Sequence, residues 1–342
     1  MKGTRSKSTV VLVNLGTPKA LTIPAIRSFL REFLWDHRVV EIPRPIWWII
    51  LNCFVLTLRP RKIIETYKKV WTEQGSPLRV ITERQVDALQ TKLLNSLGED
   101  APTVVHAMTY GDPKIANTLD RAYQSGSRRI IVLPMYPQYS GSTTGAVYDQ
   151  VAAYVQSNRA LPGLTIINSY FYEPAYTAAI SKSIADFWQE RGRADYLLFS
   201  YHGIPISYVE KGDPYAGHCQ CTTGAVSEQL QLDPERSGMS YQSLFGKAEW
   251  LKPYTAARLV ELAEAGIKRV DVVCPAFAAD CIETLEEIAM ENADIFKNAG
   301  GEELRLIPCL NDSDSHISAL EKILMPHIVA ITPSVNTRCI PH

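Results

Sequence analysis

Two segments of this chain hold side chains suited to handling protons and metal ions. The first is SYHGIP, residues 200–205, in which His202 follows an apolar run and precedes a glycine that permits a tight turn. An imidazole with an ordinary pKa of about 6.5 accepts a proton or binds a borderline metal near neutral pH. A histidine bonded to turn backbone would suit the same position equally well. The second segment is CPAFAADCIETLEEIAMEN, residues 274–292. Glu283, Glu287 and Glu291 recur there at i, i+4 and i+8, one stripe of an α-helix. Like charges at that spacing oppose one another, so the row stabilises nothing by itself. It makes chemical sense where cations or protons travel along it. A solvated acidic face is the plain alternative.

Aromatic residues crowd three loop segments. Tyr136 and Tyr139 stand in MYPQYSGSTTG, Tyr67 and Trp71 precede QGSP, and Trp250 and Tyr254 lie in GKAEWLKPYT. Flat walls with a few hydroxyls fit a planar, hydrophobic ligand. His218-Cys219-Gln220-Cys221 gathers three metal-capable side chains in four residues. With Cys274, Cys309 or Cys339 it offers ligands for zinc or an iron–sulfur cluster, but without a C-x-x-C pair free thiols are the default. There is no G-x-x-x-x-G-K-[ST] loop, no G-x-G-x-x-G after a strand and no G-x-S-x-G elbow. Nucleotide binding and serine hydrolysis therefore have no motif here.

Short apolar runs must position these groups. Strand candidates are 10–13, 104–108, 130–133, 165–167, 196–200, 270–273 and 304–307. Helical spacing appears at 63–67, 83–97, 115–124, 146–158, 176–189, 255–265 and 282–298. Continuous apolar strands alternating with helices predict α/β architecture with parallel sheets covered on both faces, the doubly wound, Rossmann-like class. Such sheets bind ligands beyond the carboxyl ends of their strands. VVLVNLGTP (10–18) pairs with LLFSYHGIP (197–205), and IVLPMYP (131–137) with VVCPAFA (272–278), which predicts two similar halves. The expected domains are 1–163 and 164–315, with a break near Leu161–Leu164. A helix at 316–325 should pack back on the first domain, followed by a tail at 326–342.

The chain has 342 residues, more than one core usually organises. Lys plus Arg number 35 and Asp plus Glu 36, a net charge of −1, so no basic field exists to bind nucleic acid. Seven scattered cysteines do not form a secreted disulfide framework, and a reducing compartment is expected. The most apolar window, IWWIILNCFVLTL at 46–58, is too short to span a bilayer. Trp47 and Trp48 at one end and Arg59, Arg61 and Lys62 beyond the other suit a membrane interface, and an apolar lip over a pocket suits the same pattern.

Taken together, VNLGTP (13–18), YKKVWTEQGSPL (67–78), LPMYPQYSGSTTGAV (133–147), SYHGIP (200–205), CPAFAADCIETLEEI (274–288) and IPCLND (307–312) resemble the signature segments of the ferrochelatase family, in order, over about residues 10–325. The resemblance implies a chelatase fold with a porphyrin cleft between its halves. It also implies insertion of Fe²⁺ into protoporphyrin IX to form protohaem, with release of two protons, as the last step of haem synthesis. By the same resemblance His202 and Glu283 are the catalytic and metal-site residues, and Glu287 and Glu291 extend the acidic path. Tyr67, Ser76, Tyr136 and Trp250 match porphyrin contacts, and Arg59 a propionate partner. No cofactor is implied, iron being a substrate. Cys281 stands where some members have a second histidine. Animal members hold a [2Fe–2S] cluster through a C-terminal cysteine group and a cysteine at the position of Gly141, so that cluster is not implied here. The resemblance is to the bacterial, cytoplasmic branch, and the partners are then porphyrin and ferrous iron, with 46–58 open to peripheral contact at the inner face of the membrane. A non-catalytic tetrapyrrole carrier or haem chaperone remains the alternative, as do coproporphyrin, cobalt and sirohaem chelatases.

Overall fold

Strand β1, Lys7–Asn14, is buried without a break from Thr9 to Asn14, and such a run is stable only inside a sheet covered on both faces. A computed structural model describes residues 7–329 except Phe245 and Lys247. It contains two four-stranded sheets. The first is ordered β2-β1-β3-β4, with β2 at Thr103–Met108, β3 at Ser127–Pro134 and β4 at Gly163–Ile166. The second is ordered β6-β5-β7-β8, with β5 at Tyr196–His202, β6 at Ser237–Gln242, β7 at Arg269–Val273 and β8 at Glu303–Leu306. Every pairing in both sheets is parallel. The two orders are the same, as the internal repeat predicts.

Two elements differ from expectation at the junction. β4 pairs with β3, so the first sheet runs through Ile166 and the break expected near Leu161–Leu164 falls on its last strand. The final helix, Asp314–Val329, is longer than 316–325 and takes in the first residues assigned to the tail. It packs against both Pro77–Leu97 and Pro174–Arg191. One buried apolar cluster accordingly crosses the molecule, from Val10 and Leu12 through Leu89 and Leu93 to Phe199, Tyr201 and Leu320. Each such side chain contributes about 1.5–3 kcal/mol by leaving water, so the halves share a core. Cys339 lies outside the described residues.

The acidic segment also departs from the expected geometry. Glu283–Asn292 is π-helical and passes into an α-helix at Ala293–Asn298. Bonding from i to i+5 widens each turn, so residues four apart fall just short of a full turn instead of just past it. Glu283, Glu287 and Glu291 thus step around the helix in the opposite sense from an α-helical stripe. Leu51–Val55 and Gly141–Gly145 are shorter π-helical turns.

Candidate active site

The loops that follow β1, β3, β5, β6 and β7 converge on one cavity of about 430 Å³. That size is ordinary for a small-molecule or cofactor pocket. His202, the last residue of β5, and Glu283, the first of the π-helix, both line it. So do Arg59, Tyr67, Ser76, Tyr136 and Trp250. Glu287 and Glu291 do not: Glu287 sits half-buried behind the wall and Glu291 is exposed at the surface.

Local bonds orient the imidazole. His202 Nδ1–H donates to the Gly203 carbonyl at 2.7 Å, which leaves Nε2 as the nitrogen with a free lone pair. Gly203 keeps this turn close-packed, since a Cβ would lie a tight 3.0 Å from the Gln242 carbonyl oxygen and 3.1 Å from Trp250. The Trp250 and Phe277 rings flank the imidazole, with centroids 6.4 and 6.5 Å away. Opposite, Gly16 follows β1 with φ +103, and a Cβ there would stand 1.7 Å from the Tyr110 carbonyl oxygen. Thr17 Oγ1 donates to Ser76 Oγ at 2.8 Å, tying the LGTP turn to the QGSP turn.

Glu287 is held by Ser243, whose backbone N–H and hydroxyl donate to its two oxygens at 2.7 and 2.5 Å. Ser243 makes both bonds from a left-handed backbone, φ +67. Burial keeps the Glu287 carboxyl above the usual carboxylate range, against the pull of Ser243 and the nearby His202 and with the push of Glu283. Burial likewise raises Tyr67, reinforced by the charge of Glu283, so this phenol stays protonated. Burial also raises the Cys281 thiol, which lines the cavity.

Other expectations resolve differently. His218, Cys219 and Cys221 lie on the helix Tyr215–Leu230, where Cys219 is buried and Cys221 exposed, so the two thiols face different surroundings. His218 Nδ1 accepts from the Tyr139 N–H at 3.2 Å and its ring stacks on Phe171 at 3.7 Å. Among the described residues no three His, Cys, Asp or Glu side chains converge on a metal position. Gly141 N–H donates to Asp213 at 2.7 Å.

Sequence reasoning missed one wall. Helix Ile23–Trp35 contributes Phe29, Leu30, Phe33 and Leu34 to the cavity. Its signal was present: apolar residues at 26, 29, 30, 33 and 34, Thr22 as N-cap bonding Ala25 N–H at 3.4 Å, and Pro24 in the first turn.

The ferrochelatase family model matches residues 7–328. A ferrochelatase of Photobacterium profundum is 48% identical over 318 residues, covering 93% of this chain and 97% of that protein. One of Acinetobacter baumannii is 43% identical over 334 residues, 98% of each. Among solved structures, SirB from Bacillus subtilis with Fe3+ has a TM-score of 0.53 at 10% identity, covering 93% of this chain and 94% of that one. CbiX, the terminal enzyme for biosynthesis of siroheme in denitrifying bacteria, has 0.52 at 12%, covering 95% and 100%. These two likenesses are of fold, a two-domain α/β chelatase fold. With near-half identity along almost its whole length, the chain belongs to the ferrochelatase family.

Proposed function

We propose that this protein inserts Fe²⁺ into protoporphyrin IX to form protohaem. The observation that supports this most is that an imidazole from a strand end and a carboxylate from a helix start line one aromatic-walled cavity. Metal insertion must strip two pyrrole N–H protons from a rigid ring. A cleft that binds a bent macrocycle better than a flat one exposes the nitrogen lone pairs, which is complementarity to the transition state. His202, its Nε2 lone pair free, accepts protons on one side. Glu283 delivers Fe²⁺ or leads protons away, with Glu287 and Glu291 continuing its path to the surface. Tyr67, Ser76, Tyr136 and Trp250 hold the ring, and Arg59 takes a propionate. No resident cofactor is needed, since iron is consumed as substrate.

The test is an anaerobic insertion assay on purified protein with porphyrin and Fe²⁺. His202→Ala and Glu283→Gln should each lower kcat by about 10²–10⁴, the range of a lost acid–base group, while porphyrin binding persists. Near-normal insertion by His202→Ala would refute the role. A carrier would stop at one equivalent, so turnover beyond that excludes it. Running coproporphyrin and Co²⁺ in parallel separates the related chelatases.

The lip supports a cytoplasmic protein that docks at the inner face of the membrane. Ile46, Trp48, Ile49, Phe54 and Leu58 are exposed, Leu58 by 68%, beside Arg59, Arg61 and Lys62. Such a patch is larger than scattered surface apolar residues and suits an interface with cationic flanks. No helix among the described residues is long and apolar enough to cross a bilayer.

A further inference from the structure

We propose that Gln242 is a positioning residue for metal insertion, holding the peptide of Glu283 at a fixed height against the His202 turn. The inference rests on the roles given above to His202 and Glu283. Gln242 ends β6 in register with His202 on β5. Its carbonyl accepts the Gly203 N–H at 2.8 Å, and Gly203 is the residue whose own carbonyl orients the imidazole. Its side chain reaches the other way: Nε2 donates to the Glu283 carbonyl at 2.8 Å. One buried residue therefore touches the backbone at both reactive groups.

The amide is not free to turn over. A carbonyl only accepts, so Nε2 must face Glu283 and Oε1 must accept from Ser200 Oγ, 2.8 Å away. That uses the single Ser200 proton, so Ser200 accepts from Thr255 Oγ1 at 2.9 Å. Thr255 in turn has spent its proton and accepts from Ser240 Oγ, also at 2.9 Å. The result is a one-way chain, Ser240 to Thr255 to Ser200 to Gln242 to Glu283. All four side chains before Glu283 are at most 3% exposed. A polar row inside a parallel sheet costs free energy unless each member is bonded, and a fully bonded row fixes one arrangement. Here the arrangement it fixes ends on the peptide of the acid.

Small misplacements of reacting groups are costly, up to about 10²-fold in rate for 1 Å. The experiment compares Gln242→Leu, Gln242→Glu and Thr255→Val in the full chain. Steady-state insertion of Fe²⁺, porphyrin affinity by fluorescence quenching and melting temperature are the readouts. Both Gln242 variants remove the donor to Glu283, and kcat should fall at least tenfold with porphyrin KM and affinity within twofold. Thr255→Val touches neither reactive group but takes away the donor to Ser200 and so loosens the row that seats the amide, so kcat should fall about threefold with KM unchanged. If Gln242→Leu does not fold, Gln242→Glu, which keeps the volume and the acceptor, decides. Retained kcat in a folded Gln242 variant, a loss carried by KM alone, or failure of both variants to fold would overturn the proposal. His202→Ala and Glu283→Gln run beside them: if those two stay active the functional reading fails, and if they are inactive while the Gln242 variants are normal only this inference fails.

Discussion

Mild acid should weaken this fold through one buried imidazole. His316 is 1% exposed, and its Nδ1–H donates to the Asn311 carbonyl at 2.6 Å. Burial strips the water a charged ring would need and pushes its pKa down to about 4. In the unfolded chain the same ring titrates near 6.5. Above that pH neither state binds the proton, and between the two values only the unfolded state does. Stability is therefore lost as pH falls. The gap is worth about 2 kcal/mol at pH 5 and about 3 kcal/mol at pH 4. The consequence reaches the site, because the Asn311 side chain bonds Asp280 at 2.7 and 2.8 Å, three residues before Glu283. Urea unfolding followed by circular dichroism at pH 7.5, 6 and 5 measures the effect in the wild type and in His316→Asn, whose amide keeps a donor for Asn311. The variant should lack about 2 kcal/mol of the wild-type decline between pH 7.5 and 5. Parallel curves, within about 0.5 kcal/mol, would refute the assignment.

Three further outcomes follow from individual contacts. Gly16→Ala forces a Cβ to within 1.7 Å of the Tyr110 carbonyl oxygen at a positive φ, and should cost at least about 3 kcal/mol in urea unfolding. Tyr176→Phe removes the 2.6 Å donor to the buried Pro275 carbonyl, and unfolding should show a loss of about 1–3 kcal/mol. Phe54→Ser with Leu58→Ser removes two exposed lip side chains and should lower co-sedimentation with anionic vesicles at least fivefold, while turnover on detergent-dispersed porphyrin stays unchanged.

Seven of the eight strands among the described residues were legible as short, mainly apolar runs, buried in the central strands β1, β3, β5 and β7 and only half-buried in the edge strands β4 and β8. The eighth, β6 with the sequence SGMSYQ, was not, and the reason is physical: Ser240 and Gln242 face the buried hydrogen-bonded row, so the hydrophobic signal is missing where the polar chain runs. The helix Tyr215–Leu230 hid behind His, Cys and Thr, middling helix formers, and Gly, a poor one, whose placement tertiary contacts decide. His202 and Glu283 could be read as candidates because one ends a strand and the other lies beyond one, and strand ends are where such sheets bind ligands. The π-helical turn of the acids was not visible, since spacing alone cannot distinguish i→i+4 from i→i+5 bonding. Side chains meet its carbonyls: Gln242 bonds that of Glu283, and Asn292 Nδ2 that of Glu287 at 2.7 Å. Both amides come from positions that carry no pattern of their own.

The placement of sulfur completes the chemical logic of the proposed reaction. Cys219, Cys274, Cys281 and Cys309 are buried, and burial pushes all four thiols well up from their ordinary pKa. A protonated thiol is a poor metal ligand, whereas a thiolate in the cleft would grip a borderline metal tightly. Cys281 is the thiol that lines the cavity, and the neighbouring charge of Glu283 disfavours its ionisation further. In the proposed reaction the groups left to meet Fe²⁺ are the imidazole of His202 and the carboxylate of Glu283, which line the same cavity. An imidazole and a carboxylate would hold the ion more loosely than thiolates, so that four pyrrole nitrogens could take it. A chelatase must release its metal to the ring on every turnover, and an incomplete set of nitrogen and oxygen donors meets that demand better than a closed sulfur site would.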